Sequence, residues 1–170
     1  MQRLRFVLLV ILLVPAVDLF AGPARIEYRS ATVDEKTGQL RIVLASGREI
    51  IPPFNTKSGQ VGFDDVHISP DHKTIGWLEL DQDPNEAYPY AFTLVLYQNV
   101  RLLRKIDAGI AVFWDWEFVN GSRRVAYSRG PTHGGDNECV LQDVHSGQVL
   151  AHWLVSSGGA TPEWAQGLRF

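Results

Sequence analysis

Two stretches of the chain decide its fold: Ile68–Trp77, which reads ISPDHKTIGW, and Phe118–Tyr127, which reads FVNGSRRVAY. The second aligns with the first without a gap, at an offset of 50 residues. Each places turn-forming residues, Pro70–Lys73 and Asn120–Ser122 respectively, between two short apolar runs. Asn-Gly in such a position is a strong hairpin signal because both residues tolerate positive φ. The pair therefore predicts an internal repeat built on β-hairpins.

Apolar runs elsewhere in the chain follow a second hairpin plan. Three segments consist of an apolar run, a short polar turn and a second apolar run: Leu40–Ile51, Thr93–Ile106 and Val140–Leu154. Short runs of Val, Ile, Leu and aromatic residues between turn residues are typical of strands. The 170 residues are 45% hydrophobic and 21% charged, as in a globular domain with a core. We therefore expect an all-β fold of antiparallel sheets.

The two hairpin types alternate along the chain with the period of β-propeller blades, which repeat roughly every 40 to 50 residues. Ile68–Trp77 resembles the blade motif of TolB-like propellers, in which an apolar residue precedes Ser-Pro-Asp-Gly-Lys and a short apolar strand follows. His72 stands where that family has glycine, and the second copy keeps only the turn and the flanking apolar residues. Trp114-Asp115 shares its two letters with the dipeptide of WD-type propellers. The likeness goes no further, because the dipeptide enters a strand here instead of closing one.

The resemblance runs loosely from Gly62 to Trp153 and implies an incomplete propeller of about two to three blades, where closed ones have roughly four to eight. Thr161–Phe170 reads as the start of one more hairpin. Unpaired strand edges recruit other chains. The alternatives are therefore a homo-oligomer joined through open sheet edges, a compact open sandwich, or a fragment of a longer propeller. We favour an open arrangement of two or three sheets.

The N-terminus differs in kind from the rest. Arg3 and Arg5 precede the apolar stretch Phe6–Val14, which a proline and an aspartate soon interrupt. A membrane span needs about 20 apolar residues, whereas this pattern is typical of a secretory signal peptide. We predict a signal helix in residues 1–21 and an exported domain in residues 22–170, periplasmic or secreted. An uncleaved membrane anchor is the alternative.

Charge argues against nucleic acid as a partner. The formal net charge is −3 and the chain contains no long basic run. Affinity for nucleic acid depends mainly on cationic neutralisation of phosphates. We therefore predict no nucleic-acid partner.

One glycine-rich loop carries candidate metal ligands. His133, Asp136, Glu138 and Cys139 lie within seven residues, and such side chains bind zinc. Their spacing matches no established metal motif, so a loop joining two strands is the favoured interpretation, with no metal and no cofactor. Cys139 is the single cysteine, which excludes an intrachain disulfide. A buried structural thiol is expected there, with a reactive thiol or an intermolecular disulfide as the alternatives.

Aromatic residues are dense in Tyr88–Phe92 and Phe113–Phe118. Regular alternation along a strand places Trp114, Trp116 and Phe118 on one face. A core position at a sheet interface is favoured for this face, and an exposed platform for a peptide or sugar is the alternative. The candidate residues for such a binding surface are Tyr88, Tyr90, Trp114 and Trp116.

Two acidic segments contain side chains of types that take part in catalysis or bind calcium. Asp64, Asp65 and His67 offer carboxylates and an imidazole, which general acid–base catalysis uses. A regular strand places Asp64 and His67 on opposite faces, so catalysis is not predicted. Asp81–Glu86 begins like a calcium loop but lacks the glycine and the glutamate that such a loop requires. It is predicted to be an acidic turn.

The sequence thus predicts an exported, non-catalytic binding or scaffold module with a protein or peptide partner and no stable membrane span after signal cleavage. No nucleophile elbow, phosphate-binding loop or zinc-protease motif occurs. The alternatives are a metal-dependent enzyme that uses the His133–Cys139 loop and a structural fragment of a longer propeller.

Overall fold

The structure, a computed structural model, describes residues 26–55, 57, 59–84 and 86–170. This part of the chain is all-β, with eleven strands in three antiparallel sheets, none of them closed. The predicted signal peptide, residues 1–21, lies outside the described residues. Within the ranges given, no helix has the length and apolar character needed to span a membrane.

Each strand pairs with its neighbours in sequence, so every sheet is a meander. Sheet 1 contains β1 (Tyr28–Val33), β2 (Leu40–Leu44) and β3 (Glu49–Ile50). Sheet 2 contains β4 (Gln60–Ile68), β5 (Thr74–Asp81), β6 (Tyr90–Gln98) and β7 (Arg101–Asp107). Sheet 3 contains β8 (Val112–Val119), β9 (Arg124–Gly130), β10 (Glu138–Asp143) and β11 (Val149–Leu154). The three hairpins predicted from the apolar runs, β2–β3, β6–β7 and β10–β11, are confirmed.

The two hairpins predicted from the repeated stretches are also confirmed. Turns over residues 70–73 and 120–123 join β4 to β5 and β8 to β9. The third residue of each turn has positive φ, 59° at His72 and 76° at Ser122. The turns touch, because the backbone amide of Asp71 donates a hydrogen bond to Ser122 Oγ at 3.1 Å. Equivalent hairpins of the repeat therefore lie side by side.

The sheets stack in chain order, with sheet 2 in the middle. Large buried side chains of sheets 1 and 2 form one core cluster, which includes Leu40, Ile42, Ile75 and Trp77. A second cluster joins sheets 2 and 3 and includes Leu94, Leu96, Trp116 and Val125. Burial on both faces explains why the first five residues of β5 are all buried rather than alternately exposed.

The C-terminal segment forms no additional sheet. Thr161–Phe170, which the sequence presents as the start of a hairpin, contains one short 3₁₀ turn at Glu163–Ala165 and no strand. Ala165 and Leu168 pack with Cys139 in a third buried cluster, on the face of sheet 3 that is turned away from sheet 2. The segment thus covers the face on which another sheet would otherwise stack.

Candidate functional site

The glycine-rich loop and the strand after it do not gather their candidate ligands. His133 Nε2 lies 2.8 Å from Oε1 of Glu86, a residue of the loop before β6. Glu138 binds the side chains of Arg129 and His152. Over the described ranges, no group of three or more His, Cys, Asp or Glu side chains is placed to hold a metal ion. The loop contacts are therefore structural pairings between neighbouring loops and strands.

The other two residues of this set differ strongly in exposure. Asp136 is exposed at the loop. Cys139 is fully buried, and this burial raises the pKa of its thiol to about 11. Because the thiolate is the reactive form, a buried thiol with a raised pKa is inert near neutral pH. The prediction of a buried Cys139 is confirmed.

The four aromatic candidates do not form one exposed surface. Tyr88 is 74% exposed, whereas Trp116 is buried. Tyr90 and Trp114 are half-buried. Trp116 is a core residue between sheets 2 and 3, as the favoured interpretation expected.

The alternation inferred for β8 is interrupted. A β-bulge between Phe113 and Asp115 shifts the register of β8 against β9. Phe113 consequently joins Trp116 in the core cluster between sheets 2 and 3. The prediction that Trp114 and Trp116 share a face is wrong, since an extra residue in one strand reverses the facing of the residues on one side of it.

Charged side chains converge where β4 and β8, the first strands of sheets 2 and 3, each pair with another strand on one side only. Both strands are bulged at this point, and Asp65 has a positive φ of 45°. We call this group the open-edge cluster. It comprises Asp64, Asp65, His67, Asp115, Glu117 and Arg169.

On the sheet 2 side of the cluster, an aspartate and a histidine form a pair that rests on a buried tryptophan. His67 Nε2 lies 2.8 Å from Asp65 Oδ1. The imidazole packs edge-on against Trp116, with ring centroids 4.9 Å apart. Trp116 Nε1 donates a hydrogen bond to the backbone carbonyl of Asp65 at 2.8 Å. The strained bulge of β4 is thereby fixed to the core.

On the sheet 3 side, the carboxylate of Asp115 binds the C-terminal segment. Asp115 Oδ2 accepts hydrogen bonds from the backbone amide of Arg169 at 2.8 Å and from its Nε at 3.1 Å. Ser128 Oγ donates to the carbonyl of Arg169 at 2.5 Å. Both the main chain and the guanidinium of Arg169 are therefore recognised.

The electrostatics of the cluster follow from its excess of carboxylates. Burial alone raises the pKa of Asp115, but the hydrogen bonds from Arg169 outweigh it and the pKa is lowered. The hydrogen bond that the His67 imidazole donates to Asp65 raises the pKa of His67, with further contributions from the charges of Asp115 and Glu117. The cluster therefore favours the cationic form of a group placed against it.

This arrangement predicts a stability that depends on pH. The folded-state pKa of His67 lies above its unfolded value. The protonated imidazole therefore adds to the free energy of unfolding in full below about pH 6.5, and this stabilisation is lost as pH rises through the folded-state pKa. The destabilisation caused by His67→Gln should therefore shrink between about pH 5.5 and pH 8.5. The His67 side chain is 42% exposed, so screening limits the effect to about 1 kcal/mol or less.

Urea denaturation of both proteins across this pH range measures the effect. In an Asp65→Asn background, the same substitution should show a much smaller pH dependence. A destabilisation that grows with pH would contradict the assignment of His67 as the stabilised cation.

The cluster escapes sequence reasoning because it joins residues of β4, β8 and the C-terminal segment. Asp64, Asp65 and His67 are close in sequence, but a regular strand places Asp64 and His67 on opposite faces, and no residue type marks the bulge between them. One feature of the sequence does agree with the cluster: Asp65 and Asp115 occupy equivalent positions of the 50-residue repeat. Nothing in the sequence marks Arg169 as their partner.

The fold and the cluster define a class of protein: an all-β stack of three antiparallel sheets with an acidic site at its open edges. No protein-family model, curated protein or solved structure matches the chain.

Proposed function

We propose that the chain is an exported, non-catalytic binding module with propeller-type repeats, and that it binds a cationic segment of a protein partner at the open-edge cluster. One observation carries the proposal. The guanidinium of Arg169 is bound by the carboxylate of Asp115 and is attracted by the charges of two more carboxylates, Asp65 and Asp64. The site thus has the chemistry of guanidinium recognition.

The geometry favours recognition by charge over strand addition at this point. The backbone amide of Asp65 donates to Asp64 Oδ1 at 2.8 Å, and that of Trp116 donates to Asp115 Oδ1 at 2.9 Å. An added strand needs such groups free for main-chain hydrogen bonds. Bulges and inward charges also protect strand edges against pairing. A partner is therefore expected to bind through side chains.

The hydrogen bonds of the Asp65–His67 pair place no nucleophile of the described residues beside the imidazole. An imidazole held by a carboxylate can serve as a general base, but it must reach a group that carries the proton. Among the described residues, the hydrogen bond made by the His67 ring is to Asp65, and no hydroxyl or thiol is bonded to it. The binding interpretation accounts for the pair without further assumptions.

A displayed library of random peptides, panned against the purified chain, tests the proposal. Recovered sequences should be enriched in Arg and Lys, and their binding should weaken with added salt because the ion pairs are partly exposed. A selected peptide should bind an Asp64→Asn/Glu117→Gln variant at least about tenfold more weakly, a change of about 1.4 kcal/mol.

Glu35→Gln is the matched control, because Glu35 is an exposed acid in the β1–β2 turn, outside the cluster. This variant should bind as the unchanged chain does. Selection of peptides without cationic enrichment, or equal losses in both variants, would refute the proposed site.

A further inference from the structure

The C-terminal segment occupies a shaped groove on the outer face of sheet 3. Leu168 is 7% exposed and packs with Ala126, Cys139 and Leu141. Gly167 lies against Glu117 so closely that a Cβ at this position would be 2.6 Å from Oε1. A larger residue would have to push aside the flexible end of the Glu117 side chain, so the groove favours a small residue here, followed by an aliphatic one.

The next two residues are also bound by side chains of sheet 3. Arg169 is bound to Asp115 and Ser128 as described above. The ring of Phe170 packs edge-on against Trp153, with centroids 5.7 Å apart. Four consecutive residues thus meet four different environments, in the order small, aliphatic, arginine, aromatic.

The segment is held like a bound peptide instead of as part of a sheet. It contains no strand and belongs to none of the three sheets. The stretch that leads to it begins with Gly158 and Gly159, and an added Cβ at either would have no heavy atom within 4 Å. Release of Gly167–Phe170 would consequently break side-chain contacts and a few hydrogen bonds, with every strand pairing intact.

We infer that this groove is a peptide-binding site for partner segments of the pattern small–aliphatic–arginine–aromatic, and that Gly167–Phe170 is its resident, displaceable ligand. The inference rests on the proposed function and names the partner segment, since Asp115 and Glu117 belong to the open-edge cluster. The resident competes at an effective concentration that, for a short linker, is about millimolar. A partner must therefore bind tightly or in several copies.

A labelled peptide with the sequence of residues 163–170, EWAQGLRF, tests the inference by fluorescence anisotropy. The receptor is the full chain carrying Leu168→Ser and Arg169→Ala, which loosen the resident segment and leave the groove residues unchanged. We expect saturable binding at least about tenfold tighter than to the unchanged chain, because the resident no longer competes. A peptide with citrulline in place of arginine should lose about tenfold in affinity, since it keeps the shape and removes the charge.

The citrulline peptide keeps the test decisive, because it needs no further change in the protein. Absence of saturable binding to the folded double variant, or equal binding of both peptides, would overturn the inference. A dimer of the unchanged chain that the peptide dissociates would identify a second copy as the occupant and overturn the choice of an unrelated partner. Cationic library peptides that do not compete with EWAQGLRF would leave the proposed function standing and refute this inference alone.

Discussion

Replacing Trp116 by alanine is expected to lower the free energy of unfolding by about 3 to 5 kcal/mol, the usual cost of removing a large buried aromatic side chain. Trp116 is 1% exposed and fills the interface between sheets 2 and 3. Its ring contacts Phe118 at 5.2 Å and His67 at 4.9 Å between centroids. Its Nε1 also holds the bulged backbone of Asp65. The substitution removes the packing and the hydrogen bond together.

Trp114→Ala is the matched control, two residues away on the same strand. Trp114 is half-buried at the bulge, and its Nε1 is buried without a hydrogen-bond partner in the described part of the chain. Its removal takes away an unsatisfied donor along with some packing. The expected loss is less than about half of that at Trp116. Urea denaturation of both variants measures the difference.

Equal losses at the two positions would contradict the bulge. Regular alternation places both rings on one face and predicts similar costs. The comparison therefore tests the register of β8 as well as the packing of one residue.

The sequence predicted the hairpins because their signals are local. Turn residues such as Asn120–Ser122 and the apolar runs on either side lie within about ten residues of one another, and their backbone preferences are intrinsic. The 50-residue offset likewise predicted that two hairpins are equivalent. The burial of Cys139 agrees with its position in the apolar run that forms β10.

The remaining features depend on contacts that the sequence does not display. The bulge at Phe113–Asp115 changes which tryptophan is buried, and no residue type marks it. The position of Arg169 on Asp115 joins residues 54 positions apart. The irregular Thr161–Phe170 segment is stabilised by the sheet face beneath it, which no local propensity reveals. Long-range packing therefore determines both the position of the open-edge cluster and the irregular conformation of the C-terminal segment.

The outer faces and open edges of the stack carry features that oppose pairing with other chains. Sheet 3 is covered by the C-terminal segment. Sheet 1 turns a more polar face outward, which carries Thr32, Arg41 and Glu49, with Arg41 and Glu49 in an ion pair at 3.1 Å. The open edges of β4 and β8 carry bulges and acids. Each device is one by which β-proteins avoid unwanted pairing, so we expect a monomer at moderate concentration.

Gly76→Ala is expected to destabilise the fold by about 3 kcal/mol, at the upper end of the usual cost of overpacking. A Cβ at Gly76, in the middle of β5, would lie 2.6 Å from Cη2 of Trp116, 2.7 Å from Cδ2 of Leu96 and 2.9 Å from the carbonyl oxygen of Val95. The carbonyl belongs to the neighbouring strand β6 and cannot retreat without disturbing the sheet. The tryptophan is confined between two sheets and has no space to move into.

Gly159→Ala is the control, since a Cβ there meets no heavy atom within 4 Å. Its effect should stay within about 0.5 kcal/mol. Trp116→Phe in the Gly76→Ala background should recover part of the loss, because a smaller ring vacates the space that the new methyl group needs. Such a pair in contact should show a coupling of about 0.5 to 3 kcal/mol in a double-mutant cycle. Strictly additive effects would mean that sheets 2 and 3 do not meet at this point, and the open-edge cluster, which depends on the same junction, would lose its structural basis.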